Sequence, residues 1–184
     1  MSARITQKAF DEALAIARGE HHDPFGFLGL HQNGSGFIVR AFLPGAKQVR
    51  VVDTKSGRSL CDLRPIHGEG VFEGRIKSRK TRFAYRLAIV DEAGNERETE
   101  DPYRFATWLG DIDNYLLGEG KHLNAYAKLG AHVATMDNVD GVAFAVWAPN
   151  ARCVGVIGDF NDWNDRRHPM RLHPGSGVWE IFIP

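Results

Sequence analysis

Apolar and polar positions along this chain alternate in short runs, with few helical stripes. Val142, Phe144 and Val146 alternate with small residues, the period-two pattern of a strand. Ala148-Pro149-Asn150 stops that strand, because proline has no N–H to give a ladder and asparagine tolerates turn geometry. Cys153, Val154, Val156 and Ile157 open a second apolar run. Turn formers carrying two large aromatics, Phe160 and Trp163, end it. The same punctuation predicts strands over 37–43, 48–53, 71–77 and 83–91, with Met170-Arg171-Leu172 and 178–183 supplying the last ones. Strands at this spacing point to an all-β sandwich. Helix is expected over 6–18, where Thr6 can cap, Phe10, Ala13, Leu14 and Ala17 share a face, and Gly19 can stop the run. A short helix is expected within 108–119, where Ile112, Tyr115 and Leu116 share a face, and a further helical turn over 124–129. Residues 23–29, with one proline and two glycines, read as a packed loop, and 96–101 as a solvated acidic strand or turn.

The chain repeats itself. Leu28-Gly29-Leu30-His31 recurs as Leu129-Gly130-Ala131-His132, and the strand ending at Pro44-Gly45-Ala46 recurs as the strand ending at Pro149-Asn150-Ala151. Val49 and Val51 match Val154 and Val156, and Gly70-Val71-Phe72-Glu73 matches Gly177-Val178-Trp179-Glu180. The order is kept while the separation drifts slowly, as for two diverged copies of one domain type. The first copy continues through 83–91 to Asp101-Pro102-Tyr103-Arg104-Phe105, whereas little follows Glu180. The expectation is two tandem immunoglobulin-like β-sandwiches with short flanking and linker helices, the second truncated. The boundaries are a helical segment over 1–22, the first sandwich over 23–106, a helical linker over 107–128 and the second sandwich over 129–184.

Charge narrows the possible partners. The 23 basic and 23 acidic residues cancel, which argues against nucleic acid or an anionic membrane as the main partner. No apolar run approaches the ~20 residues of a membrane span. Residues 1–10 lack the apolar core of a secretion signal, so a cytoplasmic location is expected. Cys61 and Cys153 read as free thiols.

Trp163, with Phe160, Asn161 and Asn164, is the binding candidate. A sugar ring stacks its C–H face on an indole and needs polar neighbours for its hydroxyls. The competing role for Trp163 is a plug at the open end of a sandwich, and spacing alone does not separate the two. Trp147 and Trp179 lie inside strand patterns and are expected in the core, and Trp108 is expected to pack between domains. Retaining glycosyl transfer needs two carboxylates roughly 5–5.5 Å apart. Asp159, Asp162 and Asp165 read instead as solvated turn residues. His21 and His22 lack further ligands at useful spacing, so no metal is expected. Arg166-Arg167-His168 is too small a basic patch for nucleic acid. No catalytic residue and no cofactor are read from the chain.

Several motifs stand out as a set. They are Asp23-Pro24-Phe25 with Leu28-Gly29-Leu30-His31, Asp101-Pro102-Tyr103-Arg104-Phe105, Tyr126-Ala127-Lys128-Leu129-Gly130-Ala131-His132 and Phe144-Ala145-Val146-Trp147-Ala148-Pro149-Asn150-Ala151. Gly158-Asp159-Phe160-Asn161-Asp162-Trp163, His168-Pro169-Met170 and Gly177-Val178-Trp179-Glu180 complete the set. Together these motifs resemble the N-terminal part of bacterial glycogen branching enzymes. The resemblance implies that the second sandwich is similar to the carbohydrate-binding modules preceding amylase-type barrels, with Trp163 as the aromatic of the F-N-x-W motif. It implies a parent enzyme that cleaves α-1,4 glucan and re-attaches the piece as an α-1,6 branch in glycogen biosynthesis. The implied partner is α-glucan, whether glycogen, amylose or malto-oligosaccharides. The implied barrel carboxylates have no counterparts in this chain. The 184-residue chain is therefore expected to be inactive alone, monomeric, and to pack against its own missing catalytic barrel. Rival readings are a non-catalytic glycan-binding regulatory module, an N-terminal fragment of a glycogen debranching enzyme, and a sandwich used only for protein contact.

Overall fold

The helix expected first is α1 (Gln7–Arg18), and it is capped at both ends as its sequence predicts. The Thr6 hydroxyl accepts a bond from Ala9 N, and Gly19 turns left-handed so that its N–H reaches the Ala15 and Ile16 carbonyls. Ala13, Ile16 and Ala17 are buried, while Phe10 rests against His67 at 5.4 Å between ring centres. This computed structural model describes residues 6–184, so residues 1–5 of the expected helical segment lie outside the described residues. The chain divides into two units. One holds the residues up to His21 with Gly26–Arg104, the other His22–Phe25 with Phe105–Pro184. Within the expected loop at 23–29 lies a single helical turn, α2 (Pro24–Phe27).

The first unit is built from seven antiparallel strands: β1 (Gly29–Asn33), β2 (Gly36–Phe42), β3 (Ala46–Asp53), β4 (Ser59–His67), β5 (Val71–Ile76), β6 (Tyr85–Asp91) and β7 (Glu96–Glu100). Their order is β1-β2-β5-β4-β3-β6-β7. The middle strand explains the shape. Residues from Ser59 to Leu63 of β4 pair with β3, and Arg64, Pro65 and His67 pair with β5 across a bulge. Pro65 cannot donate to a ladder, and a bulge bends the strand that carries it. The sheet therefore folds over on itself. Val39, Ala41 and Phe72 from one half and Val51, Leu87 and Ile89 from the other share one buried cluster. The result is the all-β, sandwich-like class expected.

The second unit holds α3 (Asp111–Gly118) and a four-stranded sheet of β8 (Gly130–Met136), β9 (Val139–Trp147), β10 (Arg171–His173) and β11 (Val178–Ile183), ordered β10-β11-β9-β8. Residues 125–127 form the further helical turn. One sheet face, with Ala143, Ala145, Val178 and Phe182, is covered by Phe105, Trp108, Leu109, Leu117 and Leu129. Glu180, 1% exposed, lies on this face and accepts bonds from the backbone N–H groups of Trp108 at 3.0 Å and Leu109 at 2.8 Å. A buried carboxylate with two amide donors ties the 105–129 segment to the sheet.

The expectation for Trp147 fails here. Trp147 is 62% exposed rather than core. It is the last residue of β9, and β8 starts opposite Ala145, so no strand lies beside it on that side. Trp179 is buried as expected, its indole N–H donating to Ala148 O at 3.0 Å. The run from Cys153 to Ile157 is not a strand. It makes one bridge, Gly155 to Pro169, flanked by Val156 N to His168 O and Met170 N to Val154 O. Its alternation is interrupted by Gly155, and Cys153 and Ile157 are exposed, so no apolar face forms to fix a ladder. Trp108 packs within the second unit, donating its indole N–H to Lys128 O and stacking on His132.

Candidate functional site

The aromatic loop between β9 and β10 is held from within by Asn161. Its side chain is 1% exposed. The amide oxygen accepts from Gly158 N at 3.0 Å, and the amide nitrogen donates to Val156 O at 2.7 Å and to His168 Nδ1 at 2.9 Å. These bonds occupy the groups a sugar hydroxyl would use, so Asn161 shapes the loop from beneath. His168 accepts at Nδ1 and is neutral. Burial, then the neighbouring Arg167 charge, lowers its pKa to about 4.

Two large rings stand out of this frame. Phe160 is 56% exposed and rests on the His168 ring at 5.5 Å, while Trp163 is 64% exposed. A Cβ on Gly158 would meet the Phe160 ring at 2.5 Å, so only glycine lets the ring lie this close. The Trp163 indole N–H donates to Asp159 Oδ1 at 2.8 Å, which fixes the ring through a residue four positions earlier. Asp162 and Trp163 both have positive φ, 57° and 55°. Left-handed backbone at a bulky residue is uncommon and costs about 1–3 kcal/mol. That strain turns the indole outward. Asp162 is paired with Arg167 at 2.9 Å, and Asn164 Oδ1 accepts from Arg166 N at 3.1 Å.

Of the four residues expected to bind, Trp163 and Phe160 present open faces, Asn164 is half-buried at the loop's edge, and Asn161 lies beneath. Sequence reasoning missed Asp159 and His168 as supports. An acid four residues before an exposed Trp in a tight turn was the available signal for Asp159; His168 had none short of the fold. Among the described residues no group of three or more His, Cys, Asp or Glu could hold a metal, and no helix is long and apolar enough to cross a membrane.

Residues 128–184 match the family model for Carbohydrate-binding module 48 (Isoamylase N-terminal domain). Residues 10–103 match that for alpha-1,4-glucan branching enzyme GlgB, N-terminal domain. The chain belongs to this branching-enzyme N-terminal family. It is 53% identical over 175 residues to the 1,4-alpha-glucan branching enzyme GlgB of Rubrobacter xylanophilus (strain DSM 9941 / JCM 11954 / NBRC 16129 / PRD-1), a match covering 95% of this chain and 23% of that protein. A solved structure, the catalytic module of the multi-modular glycogen-degrading pneumococcal virulence factor SpuA in complex with an inhibitor, matches 59% of this chain and 18% of its own at 20% identity, with a TM-score of 0.33.

Proposed function

We propose that this chain is the α-glucan-binding N-terminal region of a glycogen branching enzyme, and that Trp163 is its sugar platform. The carrying observation is the exposed Trp163 ring, held by Asp159 on backbone with positive φ. An indole fixed in this way offers a flat apolar face at little further entropic cost on binding. Phe160 lengthens the platform and Asn164 lies beside it for sugar hydroxyls, while Asn161 and His168 hold the loop. The whole protein cleaves α-1,4 glucan chains and transfers them as α-1,6 branches, and this region holds glucan near the reacting end. Its first sandwich is of the immunoglobulin-like kind, and the protein works as a monomer in the cytoplasm, where no disulfide joins Cys61 to Cys153.

Affinity electrophoresis in gels containing glycogen tests the platform. The chain is expected to be retarded, and Trp163→Ala to lose about tenfold in affinity, since base- or sugar-type stacking on an exposed ring contributes roughly 1–2 kcal/mol. Circular dichroism of the variant should match that of the parent. Unchanged retardation removes Trp163 from the site. The chain alone should leave the iodine colour of amylose unaltered.

A further inference from the structure

The two ends of the first unit carry opposite charge. At one end lie the turns after β3 and β5, brought together by pairing of Asp53 with Tyr85 and by packing of Phe37, Phe83 and Tyr85. These turns carry Lys55, Arg58, Lys77, Arg79, Lys80 and Arg82. Of the carboxylates at this end, Asp101 is buried and accepts from the Tyr85 hydroxyl, Glu100 pairs with Arg86 and Arg104, and Asp53 is 2% exposed. Asp53 accepts from Lys55 N and Ser56 N, both at 2.9 Å, and pairs with Arg79. Lys55, Arg58, Lys77, Lys80 and Arg82 are all exposed. Among the described residues none of the five has an ion-pair partner within 4.0 Å. The opposite end, with the turns after β2, β4 and β6, carries Glu69, Asp91, Glu92 and Glu96 against Lys47.

We propose that the basic end is a docking surface for phosphate monoesters borne on an α-glucan, a proposal that rests on the glucan-binding reading above. A hydrophilic polyanion fits better than the other anionic partners. A protein partner needs a buried apolar or aromatic anchor, and among the described residues of this unit the one exposed large apolar side chain is Phe10, which lies against His67 at the other end. Single-stranded nucleic acid needs exposed rings for its bases, and Phe83 is half-buried beneath Arg79. Cations spread over two separate turns suit charges carried at intervals along a chain better than one small anion. An uncharged glucan has no use for them, so the surface distinguishes phosphorylated from plain glucan.

The full chain is compared in gels holding a phosphorylated amylopectin and the same polymer after phosphatase treatment. The phosphorylated polymer should bind about fivefold more tightly, a gain of the size expected from a few exposed charge contacts, and the gain should fade as salt rises. Lys77→Gln/Lys80→Gln/Arg82→Gln should lose that gain and bind the treated polymer as the parent does. Trp163→Ala should weaken binding to both polymers and leave their ratio unchanged. Equal binding of the two polymers by the parent overturns the phosphate surface alone; no retardation by either overturns the glucan reading with it. A gain that survives in the triple variant, or retardation by duplex DNA as strong as by phosphorylated polymer, also overturns the proposal.

Discussion

The two copies reuse the same backbone devices and spend their equivalent side chains differently. In the first, Leu43 N bonds Gly70 O; in the second, Ala148 N bonds Gly177 O, so each locks its Pro-containing turn to the matching glycine. Each Leu-Gly-x-His run starts a strand, and each histidine ring reaches back to the leucine carbonyl, His31 to Leu28 O at 2.7 Å and His132 to Leu129 O at 2.9 Å. The equivalent glutamates part company. Glu73, its side chain 15% exposed, pairs with Arg40 at 2.9 Å. Glu180, 1% exposed, takes two backbone amides and has Arg171 and His173 nearby at 3.5 and 3.2 Å. One copy uses the position to neutralise a cation within its own sheet. The other uses it to hold a connecting segment, and that is where the larger energy lies.

The largest effect tests this difference. Glu180→Ala leaves two backbone amides without their acceptor and the Arg171 guanidinium without its counter-charge, and should destabilise the second unit by about 3–5 kcal/mol. Glu73→Ala, at a partly solvated pair, should cost about 1 kcal/mol. All four tryptophans lie in the second unit, so their fluorescence during urea unfolding reads Glu180→Ala, and hydrogen exchange of β2 and β5 in the first unit reads Glu73→Ala. Equal losses for the two variants would erase the distinction.

A middle-sized effect separates two glycines that the repeat makes equivalent. Gly29 has φ +87° and a Cβ there would meet Tyr103 O at 2.6 Å; Gly130 has φ +104° with its nearest neighbour at 3.9 Å. Gly29→Ala adds a backbone clash to the conformational strain and should cost about 3 kcal/mol, against about 1 kcal/mol for Gly130→Ala. Denaturant midpoints by circular dichroism give the comparison, and a larger loss at Gly130 would contradict it.

Much of this was legible in the sequence, for identifiable reasons. α1 was readable because cap, stripe and stop all agree over one window. The strands β2, β3, β5 and β6 were readable because each buries a run of apolar side chains. β1 and β4 were not, and β7 was legible only as a solvated strand or turn. Gln32 and Asn33 end β1 exposed, Pro65 interrupts β4, and β7 is Glu-Arg-Glu-Thr-Glu, held as an edge by its ladder to β6 rather than by burial. Period-two reasoning sees burial, not pairing. At the site, the aromatics of 158–163 were visible as costly residues on a polar turn. What holds them was hidden, because the Asn161 bond to His168 closes only when 168–170 returns alongside 154–156.

The smallest net effect sets the two units against each other in acid. Burial raises the Asp101 carboxyl in the first unit to about 6, although the Tyr85 hydroxyl and Tyr103 N donate to it. Its usual value is 3.8, so between 3.8 and about 6 the folded state holds the extra proton. The stability from this group is full below 3.8 and declines as pH rises through that window. His168 in the second unit behaves oppositely. Its pKa falls from 6.5 to about 4, so over that range the unfolded state holds the extra proton, and stability declines as pH falls. Acidifying from neutral towards pH ~4 should therefore firm the Asp101 region and loosen the aromatic loop, with partial cancellation in the whole chain. Hydrogen exchange resolved by segment should show protection rising in β6 while it falls around 158–170. Asp101→Asn should flatten the first slope and His168→Gln the second, since a glutamine oxygen can accept from Asn161 without titrating. If the loop loosens equally in His168→Gln, the histidine is not what makes the second unit respond to acid.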